Sequence, residues 1–278
     1  MSRILTTIAS TMSGRVQELQ RLDEAVRRPL PLSTRVGFAG AAGGVGCSTA
    51  AGLVAAVLAA RRSHRVLAVN ASPSPRSLLW HAGLAAGAPA TSTLEQDLER
   101  AAAQRSDQAT AGLTVTHRGL HCLDLYSQTG PARDERWRDA VAPAARFFDF
   151  VLTDWGARDP ANAAAVISAS KVVCVVAATD RTSVQRGVDL AQSIDGAGVG
   201  ALLALVDTSG RRTAGVDDLL RTSPMPVVEL GHDRAHGTAH PVPSTRLRAA
   251  TNLAALRLAA AVVGSAGTDR TRSEGNPA

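Results

Sequence analysis

Gly40-Ala41-Ala42-Gly43-Gly44-Val45-Gly46-Cys47-Ser48-Thr49 follows a short apolar run, residues 35–39, and opens onto an alanine-rich stretch over 48–62. Strand, glycine loop, helix is the setting in which a chain builds a phosphate site. Glycines permit positive φ and close backbone approach to an anion. The N–H groups of the turn and of the first helical residues then point at it.

Outward from this loop, apolar runs at 35–39, 65–70, 120–126, 149–154, 171–177, 200–206 and 226–230 read as strands. Most are continuous rather than alternating, the pattern of strands covered on both faces. Helical stretches fall between and after them, at 48–62, 93–105, 133–146, 159–169, 181–195, 212–222 and about 244–263. Thr93 with Gln96 has the spacing of a capping box. The alternation predicts an α/β fold: a doubly wound, mostly parallel sheet of about seven strands with helices on both faces. Ahead of it, Ile4, Ile8, Met12, Val16, Leu19 and Val26 recur at helical spacing until Pro29 and Pro31. This helix either packs on the domain or pairs with a partner. In the second case, removal of residues 1–30 leaves the domain folded and abolishes partner recruitment. The expected division is an amphipathic helix and linker over 1–33, a P-loop domain over 34–264, and a polar, disordered tail over 265–278.

Composition narrows the class. The 278 residues are 45% hydrophobic but only 3% aromatic, so the core is built from Ala, Val and Leu. No apolar run reaches the ~18 residues of a bilayer span, and the first residues do not read as a secretory signal. Cys47, Cys122 and Cys174 are too few and too scattered for a disulfide framework or a zinc site. Cytoplasm is the expected compartment, with peripheral attachment at the inner face of the membrane as a variant. The net charge is +6, and Lys171 is the only lysine among 30 basic residues. Basic charge suits non-specific DNA or an anionic surface, but the arginines are spread along the chain, as on a solvated surface.

The loop resembles that of the MinD/ParA family of deviant P-loop ATPases, which reads approximately G-K-G-G-V-G-K-[ST]-[ST]. Gly43, Gly44, Val45, Gly46, Ser48 and Thr49 match. Ala41 stands where the family has glycine, Ala42 where it has its signature lysine, and Cys47 where it has the P-loop lysine. The resemblance continues along residues 35–263. Val66-Leu-Ala-Val-Asn-Ala-Ser-Pro73 is similar to the second-strand motif VLLVDADP, with Asn70 and Ser72 in place of aspartates. Residues 147–156 are similar to the Walker B strand, with Asp154 retained, and 226–233 to a late segment that ends in Asp233.

The resemblance implies a nucleotide site at Gly43, Gly44, Val45, Gly46, Cys47, Ser48 and Thr49, with magnesium held by Ser48 and, in its outer shell, Asp154. It also implies ATP or ADP with magnesium as the cofactor. The lysines, however, are what such a site uses to stabilise phosphoryl transfer. Asn70 has the shape of the second-strand aspartate but cannot act as a base. The expectation is therefore a degenerate member with weak or no nucleotide binding and weak or no hydrolysis, and no confidently catalytic residue. It would serve as a localisation or assembly factor for an envelope, division, partition or secretion machine. Pilus-assembly members of the CpaE/TadZ type, which include degraded nucleotide sites, lend that resemblance some weight. Its partner would be a protein or a second copy of the chain.

Competing readings stay open. An active partitioning or positioning ATPase of this family is one, and Arg76 is a cation within sequence reach of such a site. An NAD(P)-binding oxidoreductase is another, since Gly40-x-x-Gly43-x-x-Gly46 fits a variant dinucleotide loop. Against it, the only tyrosine, Tyr126, lacks a lysine four residues on, and the second strand ends in Asn70 rather than an acid for the ribose. Cys47 at a helix start suits a small buried filler better than a reactive thiol, and Asp154 can cap the segment that follows it. His121 reads as core. His232, His236 and His240 would share one face of a helix, but Gly231, Gly237 and Pro241 make the segment a loop, and zinc needs two further ligands. Arg211, Arg212, Arg246 and Arg248 read as solvated. The last helix, with Leu247, Leu253, Leu256 and Ala260, reads as core rather than as the membrane anchor of MinD-like proteins.

Overall fold

The strand before the glycine loop is buried along almost its whole length and pairs on both sides, which makes it the centre of the sheet. The computed structural model describes residues 2–30, 33–74, 76–85, 87–125, 133–210, 215–221, 223–238, 240–241 and 244–268, with residues 2–13, 133 and 244 by their backbone alone. In chain order the elements are α1 (Ser2–Arg27), β1 (Thr34–Gly40), α2 (Cys47–Arg61), β2 (Val66–Asn70), α3 (Leu78–His81), α4 (Leu94–Ala101) and α5 (Ser106–Thr110). Next come β3 (Thr114–Val115), β4 (Leu120–Asp124), α6 (Arg133–Arg136), β5 (Phe150–Ala157), α7 (Ala164–Ala169), β6 (Val172–Ala178) and α8 (Arg181–Gly196). The chain closes with β7 (Gly200–Val206), α9 (Val216–Arg221), β8 (Val227–Leu230) and α10 (Ala249–Gly267).

Among the described residues the sheet has eight strands in the order β3-β4-β2-β5-β1-β6-β7-β8. All pairs are parallel except β3 with β4. Successive side chains of a strand point to opposite faces, and the two cores follow from that alternation. Val172, Cys174 and Val176 of β6 join α1, α2 and α10 on one face. Val173, Val175 and Ala177 join α7, α8 and Trp137 on the other. The parallel, doubly wound reading holds, and one strand is added to the seven expected. Thr114–Val115 is an antiparallel edge strand of two residues, too short to show any periodicity in sequence.

Several boundaries differ for local reasons. The helix expected over 93–105 ends at Ala101, and a separate short helix, α5, follows it, where Gln108 accepts the N–H groups of Gln104 and Arg105. The Thr93–Gln96 capping box is present. Residues 133–146 become one α-turn, a π-turn over Trp137–Val141 and a 3-10 turn over Ala144–Phe147, with Pro143 unable to donate to a continuing helix. β4 ends at Asp124; Tyr126, Gly130, Arg211, Arg212 and residues 269–278 lie outside the described residues. α10 runs to Gly267 and, contrary to the expectation from sequence, is long and apolar enough to cross a membrane by length and composition. Half of it is buried, with Leu258, Ala259, Val262 and Val263 packed into the core.

The second half of α1 docks on α2 and α10. Val26 is fully buried, Arg62 of the α2 C-cap donates to the Val26 carbonyl at 2.6 Å, and Asp23 accepts from Arg61 at 2.9 Å. Arg62 also pairs with buried Asp149 ahead of β5. Deletion of residues 1–30 is thus expected to cost about 2 kcal/mol or more through Val26 and its neighbours. Urea unfolding of the truncated chain checks this; an unchanged midpoint would show that α1 adds nothing to the core.

Gly52 sets how closely α3 approaches α2. A Cβ at this position would lie 2.5 Å from the His81 Cβ and 2.6 Å from the Leu78 carbonyl oxygen. Gly52→Ala is therefore expected to destabilise the fold by about 2–3 kcal/mol through overpacking, read as a lowered midpoint in chemical unfolding.

Candidate functional site

The loop after β1 is shaped by Gly46, which takes φ 87° as the N-cap of α2. A Cβ there would also stand 2.7 Å from Val206 Cγ1, so only glycine fits. Val45 is buried beneath the loop and anchors it to the sheet. The Gly46 carbonyl accepts the Ala50 N–H at 2.9 Å, and the helix starts directly from the turn.

Asp154 of β5 lies directly below. It is fully buried, opposite Phe38 of β1 and Asn70 of β2 in register. Ser48 Oγ donates to its Oδ2 at 2.5 Å, Cys47 Sγ donates to its Oδ1 at 3.4 Å, and the Gly156 N–H donates to Oδ1 at 3.0 Å. Burial pushes the Asp154 carboxyl above its ordinary range, and these bonds partly offset the rise. Burial, then the Asp154 charge and hydrogen bond, push the Cys47 thiol well above the usual cysteine value. Cys47 is thus a neutral donor that helps satisfy a buried carboxylate. Asp154 does cap the segment after it, through Gly156, while it also binds the loop.

Asn70 is buried and bonded at both ends of its amide. Its amide donates to Asp124 Oδ1 at 2.8 Å, and its oxygen accepts the Ser72 N–H at 3.1 Å. Asp233 is likewise a local tie. Burial pushes its carboxyl up, and bonds from Thr251, Arg248 and Ala235 more than reverse this, holding it at about 2.

Above the loop lies a cavity of about 520 Å³ lined by Ala42, the residues from Gly43 to Thr49, Ser72, Arg76, His81, Gly156 and His236. Of the residues expected in a nucleotide site, Gly43, Gly44, Val45, Gly46, Cys47, Ser48 and Thr49 come together here. Arg76 lines it as well, which the sequence alone did not establish. His81 was not anticipated: nothing in Leu78-Leu-Trp-His81 marks it, since α3 is a single turn. Its Nε2 is 3.2 Å from Thr49 Oγ1, and its ring meets His236 edge-on at 5.7 Å between centroids. His236 sits in a 3-10 turn, Arg234–Gly237, so the four-residue spacing of the histidines does not form a helical face. Among the described residues no group of three His, Cys, Asp or Glu side chains is placed to hold a metal ion.

The fold and the loop define a class: the chain has the MinD/ParA-like P-loop fold. The structure of a ParA family ATPase from Chlorobium tepidum TLS matches with a TM-score of 0.63 and 21% identity, over 82% of this chain and 98% of that one. The septum site-determining protein MinD complexed with Mg-ADP, from Pyrococcus horikoshii OT3, matches with a TM-score of 0.61 and 16% identity, over 81% of this chain and 94% of that one. In sequence, the ESX-1 secretion-associated protein EspI of Mycobacterium tuberculosis is 29% identical over 159 residues, which is 55% of this chain and 23% of that protein. The chain therefore spans less than a quarter of the length of this curated relative. The chain matches no protein-family model.

Burial above all, with His236 and Arg76 alongside, holds the His81 imidazole down at about 4. In the unfolded chain it titrates near 6.5. A depressed folded value means that stability is complete above the unfolded pKa and is lost as pH falls through 6.5 toward 4. Between pH 7 and pH 5 the unfolding free energy is expected to drop by about 1–2 kcal/mol on this account, and His81→Gln should remove that share. Parallel urea titrations of both proteins decide it; identical pH slopes would mean that His81 is solvated.

Proposed function

We propose that the chain is a degenerate MinD/ParA-like P-loop domain with a weak nucleotide site and little or no ATP hydrolysis, which serves to localise or assemble a larger machine. The observation that carries this reading is the side chain at position 47. Where the resembled family has its P-loop lysine, this chain has a buried neutral thiol that donates to Asp154. Ala42 likewise offers no cation. Phosphoryl transfer depends on charge stabilisation at the β- and γ-phosphates, and neither residue supplies it. Lys171 is no substitute: it precedes β6, which runs parallel to β1, and so lies at the end of the sheet opposite the loop.

The backbone of Gly43–Thr49 remains a suitable cradle for phosphate. Ser48 Oγ and Asp154 are hard oxygen donors of the kind magnesium takes, so the residues present fit a magnesium nucleotide. Ser48 would have to release Asp154 to reach it. Among possible machines, the partial similarity to a secretion-associated protein favours secretion over division or partition. The partner is taken to be a protein or a second copy of the chain, met at the loop face or α1. Non-specific DNA and a membrane surface are lesser alternatives, and the site of action is taken as cytoplasmic or peripheral at the inner membrane face. The fold likeness to ATPases favours a polyphosphate ligand over NAD(P).

Binding of fluorescent ATP and ADP with magnesium is the test, on wild type and on the Ala42→Lys, Cys47→Lys double variant. Wild type is expected to bind at pH 7.5 about 100-fold more weakly than the double variant, roughly 3 kcal/mol. Equal, tight binding would return the chain to the active ATPases. If neither protein binds, the loop is not a nucleotide site, and NAD(P)H is the ligand to try.

A further inference from the structure

We propose that Arg76, His81 and His236 form a wall that receives the terminal phosphates of a nucleoside di- or triphosphate in place of a loop lysine, the two imidazoles taking up protons as the phosphates bind. The proposal rests on the reading of the loop as a phosphate site and names what supplies its missing charge.

The three side chains come from separate segments: the stretch after β2, α3, and the turn after β8. All three line the cavity whose floor is the loop. Gly52 brings α3 against α2 closely enough for His81 to reach Thr49, the residue that follows Ser48. The His81 and His236 rings then meet at 5.7 Å across the opening. Arg76 is exposed and permanently charged.

The charges facing the pair are few. Arg76 and His236 act on His81, and α2 presents to it only the neutral Thr49. Asp233 and His232 act on His236, with opposite signs. Burial lowers both imidazoles in the free protein and so favours their neutral forms. A phosphate group beside them reverses that balance, because an adjacent anion favours the charged imidazole. Ligand and proton therefore bind together, and affinity rises as pH falls. A histidine pair that merely fills the core would show no such linkage.

The test is isothermal titration calorimetry on the full chain at pH 5.8 and 7.8, in two buffers of different ionisation heat. The probes are ATP and ADP with magnesium, and inorganic pyrophosphate. Affinity is expected to rise about tenfold or more toward pH 5.8, with net proton uptake, for pyrophosphate as for the nucleotides. Arg76→Ala, an exposed position that leaves the core untouched, should weaken binding about tenfold at both pH values. His81→Gln and His236→Gln should abolish the proton uptake. Binding without pH dependence, or unchanged binding in Arg76→Ala and His81→Gln, would overturn the proposal. So would binding of ATP but not of pyrophosphate, which would place the affinity in the base. If the Ala42→Lys, Cys47→Lys variant binds and wild type does not at pH 5.8, the wall fails while the loop reading stands. If neither binds at either pH, both fail.

Discussion

A carboxylate with no exposed surface must find its hydrogen bonds inside the protein, and Asp154 finds three, from Ser48, Cys47 and the Gly156 backbone. That requirement joins β5 to the start of α2 and so fixes the loop between β1 and α2. An unpaired buried charge would cost several kcal/mol, so the loop, the helix start and the strand end form one unit. The Ser48 and Asp154 oxygens thereby hold the scaffold together.

Position 47 shows how one residue changes what that unit can do. A lysine there would place a cation beside Asp154. The thiol instead donates one weak hydrogen bond and stays neutral, because burial and the neighbouring carboxylate both oppose its ionisation. The glycine loop still turns directly into α2 through Gly46, while no lysine side chain stands in it. Arg76, the cation near the loop, and the two histidines beside it belong to segments that tertiary packing brings over it.

That packing depends on small residues. With few aromatic side chains, the two faces of the sheet are filled mainly by Ala, Val and Leu, and helices lie close. Gly52 is the sharpest case, since α3 rests where a Cβ would be. The large side chains that are present take special places: Trp155 follows Asp154 and is buried, and Trp137, at 5.9 Å from it between ring centroids, donates its indole N–H to Thr153 Oγ1.

The parallel strands were legible because burial on both faces leaves a continuous apolar run, as in Val172–Val176, and the loop was legible because glycine at 46 has a backbone reason to be there. Gly43 to Thr49, Asp154 and Asn70 were accordingly placed from their local contexts. The edge strand at Thr114–Val115, the single turn carrying His81 and the broken helix over 133–146 were not, since each is too short or too irregular to leave a period. Nor does a sequence show that Asn70 is engaged by Asp124, or that α10, apolar enough for a bilayer, is half buried against α1, α2 and the sheet. Local chemistry dictated the elements and the loop's backbone; which side chains stand over that loop was decided by the closeness of helices and turns distant in the chain, a matter of packing rather than of pattern.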